Sequence, residues 1–454
     1  LNFLSGNNTY SGAITLGSDT SVKSSSGNQT ISGSINGAHD LTITTDGTWT
    51  QSGEIGGVTP PTNYSLNADV NNVILSGDHQ VAGPISVYGG DITLSGNITS
   101  TLSAADVLLK ARDNISVGNS KTINTTNGDI TLWSDSDNSG AGSITLNSNS
   151  SILSDGGNII LSGGTNPLTG FSAASSVNGI SLASNTTLNS AGGDITIRGL
   201  SALNINAVSS GIYSDNSTIN SGSGSILIHG KNISNNTITN AQAITFDSVF
   251  ISSNSSQNES IKIIGDASSA KTSVTSLGVN IYENSIIEQT GIGGILINGS
   301  AFEANNYEAG VSLQNTTSIL AKSGPIVIES NNGTRTATTN YDLLLNGTIV
   351  FGYKSGSNVT TSESDITFRS NDISFSSSIS NINSSGQLTV EPYTNSFTNN
   401  FTWPYSDLSV SNTISGLTIG TESNTADITI GSNTQIAGPV SVYGGDITVS
   451  ANLS

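Results

Sequence analysis

The chain has 454 residues, room for several ordinary domains or one long solenoid. Lys and Arg total 12 against 32 Asp and Glu, a net charge of −20, which argues against nucleic acid or anionic lipid held by a phosphate-neutralising patch. There is no Cys, so disulfides and thiolate metal sites are excluded, and only 10% of residues are charged, far below a disordered chain's share.

In chain order, one short pattern recurs. A turn rich in Gly, Ser, Asn or Asp is followed by apolar–polar–apolar. It occurs at Ile14-Thr15-Leu16, Leu41-Thr42-Ile43, Ile92-Thr93-Leu94, Ile130-Thr131-Leu132, Ile144-Thr145-Leu146 and Ile195-Thr196-Ile197, and continues through Ile261-Lys262-Ile263, Ile326-Val327-Ile328 and Ile428-Thr429-Ile430. Alternation of period two puts both apolar residues on one face and the middle residue on the other. Each motif therefore predicts a short, half-buried strand, with Ile144 and Leu146 inward and Thr145 outward. Ala104–Arg112 has some helical character, but its Val107-Leu108-Leu109 fits the strand series, and the strand reading is preferred. Gly56 to Asn63, with Pro60-Pro61, reads as a loop at a seam.

The motifs often lie 14 to 23 residues apart, too far for a sandwich of hairpins. One recurring strand per longer turn of chain predicts an all-β parallel β-helix, an elongated β-solenoid with interior Ile and Leu ladders and Gly and Asn at the corners. The stretch 268–353 is less regular and rich in Glu and aromatics (Tyr282, Glu283, Glu303, Tyr307, Glu308, Tyr341), so an excursion from the stem is expected there.

A second repeat is longer. Residues 80–99 (QVAGPISVYGGDITLSGNIT) match 435–454 (QIAGPVSVYGGDITVSANLS) at 14 of 20 positions, with an offset of 355 (435 minus 80). The chain divides accordingly: 1–79 closes one unit, 80–434 is a complete unit, and 435–454 opens the next. It reads as a piece of a longer exported chain whose signal and anchor lie elsewhere.

These motifs carry a resemblance. GGDITL at 89–94, GGNIIL at 156–161 and SGSIL at 223–227, on a Ser/Thr/Asn/Gly background, resemble filamentous-haemagglutinin-type bacterial surface proteins. Leu4-Ser5-Gly6-Asn7-Asn8-Thr9-Tyr10-Ser11-Gly12 is similar to autotransporter passenger repeats. Gly416-Leu417-Thr418-Ile419-Gly420, followed by Ala426-Asp427-Ile428-Thr429-Ile430 and AGPVSVYGGDITV, looks like giant adhesins with tandem repeats. The resemblance covers most of the chain outside 268–353. It implies a right-handed helix, secretion, an extracellular place on the cell surface, and attachment to a glycan or protein receptor on host cells, neighbouring cells or surfaces, with further copies of the repeat as partners. The charge argues against nucleic acid, and no apolar run is long enough for membrane insertion by this segment.

Few residues suit catalysis. His39, His79 and His229 stand in different motifs, and no His or Lys recurs beside an Asp pair. Asp91, Asp129, Asp194, Asp365 and Asp446 recur with the strand motif, which makes them corner residues bonding turn N–H groups. The expectation is therefore a non-catalytic fibre, not an enzyme and without a cofactor. The alternatives are a self-assembling filament or sheath subunit, and a β-helix polysaccharide lyase or hydrolase. One cation candidate stands out: Asp135, Asp137 and Ser139 place oxygens at alternate positions before Gly140, like the first half of a Ca²⁺ loop. The closing Glu is absent, since position 146 is Leu, and a polar corner is the competing reading. Tyr88 and Tyr443 share a place in the two copies, and Trp49 and Trp403 lie almost one unit apart. Such aromatics either stack on sugars or pack at a seam, and packing is preferred.

Overall fold

The computed structural model describes residues 1–454 apart from 4, 175–176, 202–207, 234–239, 269–272, 303, 333–338, 357, 377–379, 406–407 and 454. Glu303 and Ser454 therefore lie outside the described residues. The chain is all-β and forms a parallel β-helix built on three long sheets, with a two-stranded and a three-stranded sheet beside them among the described residues. It divides into two compact units, Leu1–Ala202 with Tyr213–Gly224, and Leu203–Ile212 with Ser225–Ser454. That division falls within the repeat unit 80–434.

In the first unit each coil contributes one strand to each sheet. Ile85–Gly89, Ile92–Leu94 and Ile98–Ser103 make one coil, and Val107–Ala111, Ile115–Val117 and Thr122–Thr126 the next. The strands stack in register, Ile85 on Val107, Ile92 on Ile115 and Ile98 on Ile123, with one shift between Thr99 and Ser103. The expected spacing is thus corrected. The motifs at 130, 144 and 159 are not one strand per coil. Ile130 and Ile159 are partners in the first sheet, whereas Ile144 belongs to the second. Short polar turns let successive strands of one coil share the same apolar–polar–apolar text, so the motif counts sheet faces as well as coils.

The inside–outside assignment holds. Ile130, Leu132, Ile144, Leu146, Ile195 and Ile197 are fully buried, and Thr131, Thr145 and Thr196 are only half-buried. Val107–Ala111 is a strand, with Val107 and Leu109 inward. Burying each Ile or Leu side chain is worth about 1.5–3 kcal/mol, repeated coil after coil.

Corners are held by a four-residue device. The hydroxyl of Thr125, Ser154, Ser190 or Ser221 donates to the carbonyl of the glycine three residues on, Gly128, Gly157, Gly193 or Gly224. These glycines stack so closely that a Cβ on Gly193 would stand 2.1 Å from the carbonyl oxygen of Gly157. The next residue makes a second ladder. The Asn158 amide donates to Asp129 Oδ1 (2.7 Å), and the Asp194 amide to Asn158 Oδ1 (2.8 Å). Asp91 and Asp365 likewise accept from the amides of Asn114 and Gln387. Asp91, Asp129 and Asp365 are thus corner ligands for backbone N–H groups, while Asp194 and Asp446 enter the ladder through their own amides.

In the second unit the first sheet runs through Ile226–Lys231, Ile261–Ala267, Ile295–Ala301, Ile326–Asn332, Ile366–Ser370, Gln387–Glu391, Gly416–Ile419 and Val440–Val442. The excursion expected at 268–353 is corrected: its described residues stay in parallel register, Ile281 on Leu313 and Leu313 on Leu345. Its strands are longer, up to the twelve residues of Ala304–Asn315, and that length stretched the motif spacing. A local departure follows it, an antiparallel hairpin pairing Tyr353 with Thr360.

The Trp pair is core. Trp49 and Trp403 are fully buried, Trp49 over Val73 and Trp403 over Ile430. Trp403 thus holds the place that Gln51 holds over Leu75, one inward position along from Trp49. Packing, not surface stacking, accounts for both.

Candidate functional site: an aromatic–cation ladder on the first sheet

Outward positions of the first sheet in the first unit form a row. Register places Asn67 beside Tyr88, Tyr88 beside Lys110, and Lys110 beside Trp133. Adjacent strands are about 4.8 Å apart, so long side chains in one row must touch. Lys110 Nζ lies 4.1 Å from the Trp133 ring centroid and 5.3 Å from that of Tyr88, a cation held between two π-faces. Trp133 Nε1 donates to the Gly164 carbonyl at 2.6 Å, which fixes the indole.

Arg112 closes the row. Its guanidinium lies 3.2 Å from Asp137 and 4.0 Å from Asp69. A hydrogen bond to Tyr88, with the two carboxylates adding to it, holds its pKa above the ordinary arginine value. Burial, then the charges of Asp91 and Asp137, raise the neighbouring Asp113 carboxyl, and Arg112 opposes them.

The sequence-derived trio lies at this edge. Asp135, Asp137 and Ser139 share the loop between Ile130–Ser134 and Ile144–Leu146. Asp135 is buried at φ 47°, and its Oδ1 accepts from Ser139 Oγ (3.2 Å), the Gly140 amide (2.9 Å) and the Ala141 amide (3.4 Å). Burial raises its pKa, and those hydrogen bonds oppose the rise. Asp137 Oδ1 accepts from the Ser139 amide, and its Oδ2 faces Arg112. The fold brings the three together, but it turns the carboxylates toward the loop's own N–H groups and a guanidinium. Among the described residues no three of His, Asp and Glu converge as a metal set.

Lys110, Arg112 and Trp133 escaped the sequence reading. The signal was present: 88, 110 and 133 repeat the spacing of the inward residues Ile85, Val107 and Ile130. The third sheet of the same unit carries a second feature, a polar groove of about 380 Å³ lined by Glu54, Asp78, Gln80, Asn97, Thr99 and Asn124. In the second unit, Gln435, the counterpart of Gln80, lines a depression of about 90 Å³ with Trp403 and Leu408.

The histidines stay apart. His39 lies 3.8 Å from Asp19, and His79 is buried, its ring edge-on to Tyr64 at 5.5 Å. Burial lowers the His79 pKa to about 4, so the ring is neutral at physiological pH. Comparison with family models, with curated proteins and with solved structures returned no match.

Proposed function

We propose that this chain is a segment of a non-catalytic, adhesin-type surface fibre: a secreted β-helical stem whose outer faces attach a cell to a glycan or protein receptor. The observation that carries the reading is the duplicated coil. Val73 pairs with Ile92 and His79 with Ile98. After 355 residues, Ile428 pairs with Ile447 and Thr434 bridges Leu453. A unit that re-enters its own register is suited to tandem stacking, and a tandem stack makes a rigid stem.

The Tyr88–Lys110–Trp133 row is the contact surface we assign to it. Rings, a cation and paired carboxylates on a rigid sheet suit hydroxyl- and carboxylate-bearing ligands.

The test is adhesion by the 454-residue chain on beads. We expect retention on cultured cells or glycan-coated surfaces, and loss of retention in Lys110→Ala with Trp133→Ala. Retention no better than with albumin-coated beads defeats the reading. Release of reducing ends or unsaturated sugars from polysaccharide by the soluble chain would favour the lyase or hydrolase alternative instead.

A further inference from the structure

The polar groove on the third sheet of the first unit, about 380 Å³, has the volume of a ligand site. Alternation builds it. His79, Ile98 and Ile123 are buried and inward, so the residues on either side of each face outward. Register stacks those outward residues in two columns. Gln80 lies beside Thr99, Thr99 beside Asn124 and Asn124 beside Leu153 in one, and Asp78, Asn97 and Thr122 form the other. Rungs rise about 4.8 Å each, and the columns stand about 6.6 Å apart, the rise of two strand residues.

The two columns differ in what they bond. Asp78 Oδ1 accepts from the Asn97 amide (2.8 Å) and from Asn97 Nδ2 (3.1 Å), and Asn97 Oδ1 accepts from the Thr122 amide (3.0 Å). That column is a corner ladder and makes a fixed wall. In the other column Gln80 is exposed, and Thr99 and Asn124 are half-buried. Among the described residues their side chains have no hydrogen-bond partner in the protein. Each of the three can both donate and accept. The row ends on an aliphatic side chain, Leu153.

Two features select the occupant. The lining carboxylates, Glu54 and Asp78, are both negative and belong to a chain of net charge −20, so a polyanion is repelled. The strands beneath the groove are paired in parallel on both sides, so their backbone groups are taken and an added peptide strand finds no edge. The ligand must therefore be read by side chains alone. A straight row of groups that donate and accept, repeating along the stem, matches a chain of sugar hydroxyls, and Leu153 suits the C–H face of a sugar ring.

We propose that this groove binds one extended, uncharged polysaccharide chain lying along the stem axis, with Gln80, Thr99 and Asn124 bonding hydroxyls of successive sugars. The proposal rests on the glycan arm of the adhesive reading, and it puts the ligand on a different sheet from the Tyr88–Lys110–Trp133 row.

The test is calorimetric titration of cellohexaose, chitohexaose and mannohexaose into the 454-residue chain, with hexagalacturonate as the charged control. Saturable binding of at least one neutral hexasaccharide is expected, and it should change little from low to high NaCl because no ion pair forms. Thr99→Ala with Asn124→Ala should weaken it about tenfold or more, the scale of two lost hydrogen bonds. Thr99→Arg lays a long side chain across the middle of the row and should abolish it. Both positions face outward, so unfolding midpoints should stay near the parent's. Lys110→Ala with Trp133→Ala should leave the titration unchanged.

No saturable heat from any neutral hexasaccharide overturns the proposal, and so does binding that survives Thr99→Arg or a preference for hexagalacturonate. Bead retention that still depends on Lys110 and Trp133 would then leave the adhesive reading standing on the first sheet. Retention on protein-coated beads that Thr99→Arg abolishes, without heat from the sugars, would give the groove to a protein and overturn the proposal too. Hexasaccharide binding by a chain that retains no beads would uphold the groove and defeat the adhesive reading.

Discussion

Ile92 and Ile447, 355 residues apart, hold the same place in their coils, Ile92 beside Val73 and Ile447 beside Ile428, yet Ile92 is fully buried and Ile447 is 47% exposed. The difference is the neighbour on the other side. Ile92 also pairs with Ile115 of the following coil. Sequence identity fixes the local strand, and the adjacent coil fixes the burial.

The pair therefore gives a matched experiment. Ile92→Asp places an unpaired carboxylate between stacked aliphatics, and it should cost several kcal/mol, about 3–5, in denaturant unfolding. Ile447→Asp, the same change at the same place in the other copy, should cost below about 1 kcal/mol in dilute solution. Equal costs would mean that Ile447 is covered.

The glycine stack gives a second prediction. A Cβ on Gly193 meets the backbone oxygen of Gly157 at 2.1 Å, and backbone cannot swing aside as a side chain can. Gly193→Ala should separate two coils locally and cost about 1–3 kcal/mol, as overpacking does. Ser190→Ala removes only the hydroxyl bond to the Gly193 carbonyl and should cost about 1 kcal/mol. Thermal melts that rank Ser190→Ala as the worse variant would contradict the stack.

Acid should weaken the fold through His79. Nδ1 lies 2.8 Å from the Gly77 carbonyl, and Nε2 is buried with no partner among the described residues, so the folded state resists protonation. The folded pKa is about 4 against 6.5 unfolded. The unfolded chain then binds the extra proton between those values, and stability falls as pH drops through that window. The gap corresponds to a loss of about 3 kcal/mol of stability, complete below pH 4, while above about pH 6.5 there is no loss. His79→Leu should flatten unfolding midpoints across that window. A slope identical to the parent's would assign the acid response to other groups.

The architecture was legible because one physical rule wrote it. A buried ladder demands apolar–polar–apolar at each strand, and Ile144-Thr145-Leu146 shows it without alignment. The corner role of Asp129 was legible for the same reason, since it repeats with the strand it precedes. The three-sheet coil was not legible. Ile130 and Ile144 carry the same text in different sheets, and alternation says which side of a strand is buried but not which sheet it joins. The regularity of 268–353 was hidden by strand length. The ladder of Tyr88, Lys110 and Trp133 was hidden because its members lie a full coil apart, and only the register makes them neighbours.

The loop of Asp135, Asp137 and Ser139 invites a test of what its carboxylates do. Calcium needs six or more oxygens, and an ion here would compete with the Gly140 and Ala141 amides for Asp135 and with Arg112 for Asp137. Calorimetric titration of CaCl₂ into the parent should therefore show binding no tighter than about millimolar, the weak end of calcium sites. Arg112→Gln removes the competing cation and frees Asp137 Oδ2, so it should tighten any binding, whereas Asp135→Asn with Asp137→Asn should abolish it. The two roles separate in the melts. If Asp135 serves the corner, Asp135→Ala lowers stability by about 1–3 kcal/mol through the carboxylate's lost hydrogen bonds from the Gly140 and Ala141 amides, with or without calcium. If the loop is built for the ion, the parent's melting temperature rises with calcium and that of Asp135→Asn with Asp137→Asn does not. Micromolar, saturable heat in the parent would show that the ion displaces Arg112, and the corner account of Asp135 and Asp137 would fall.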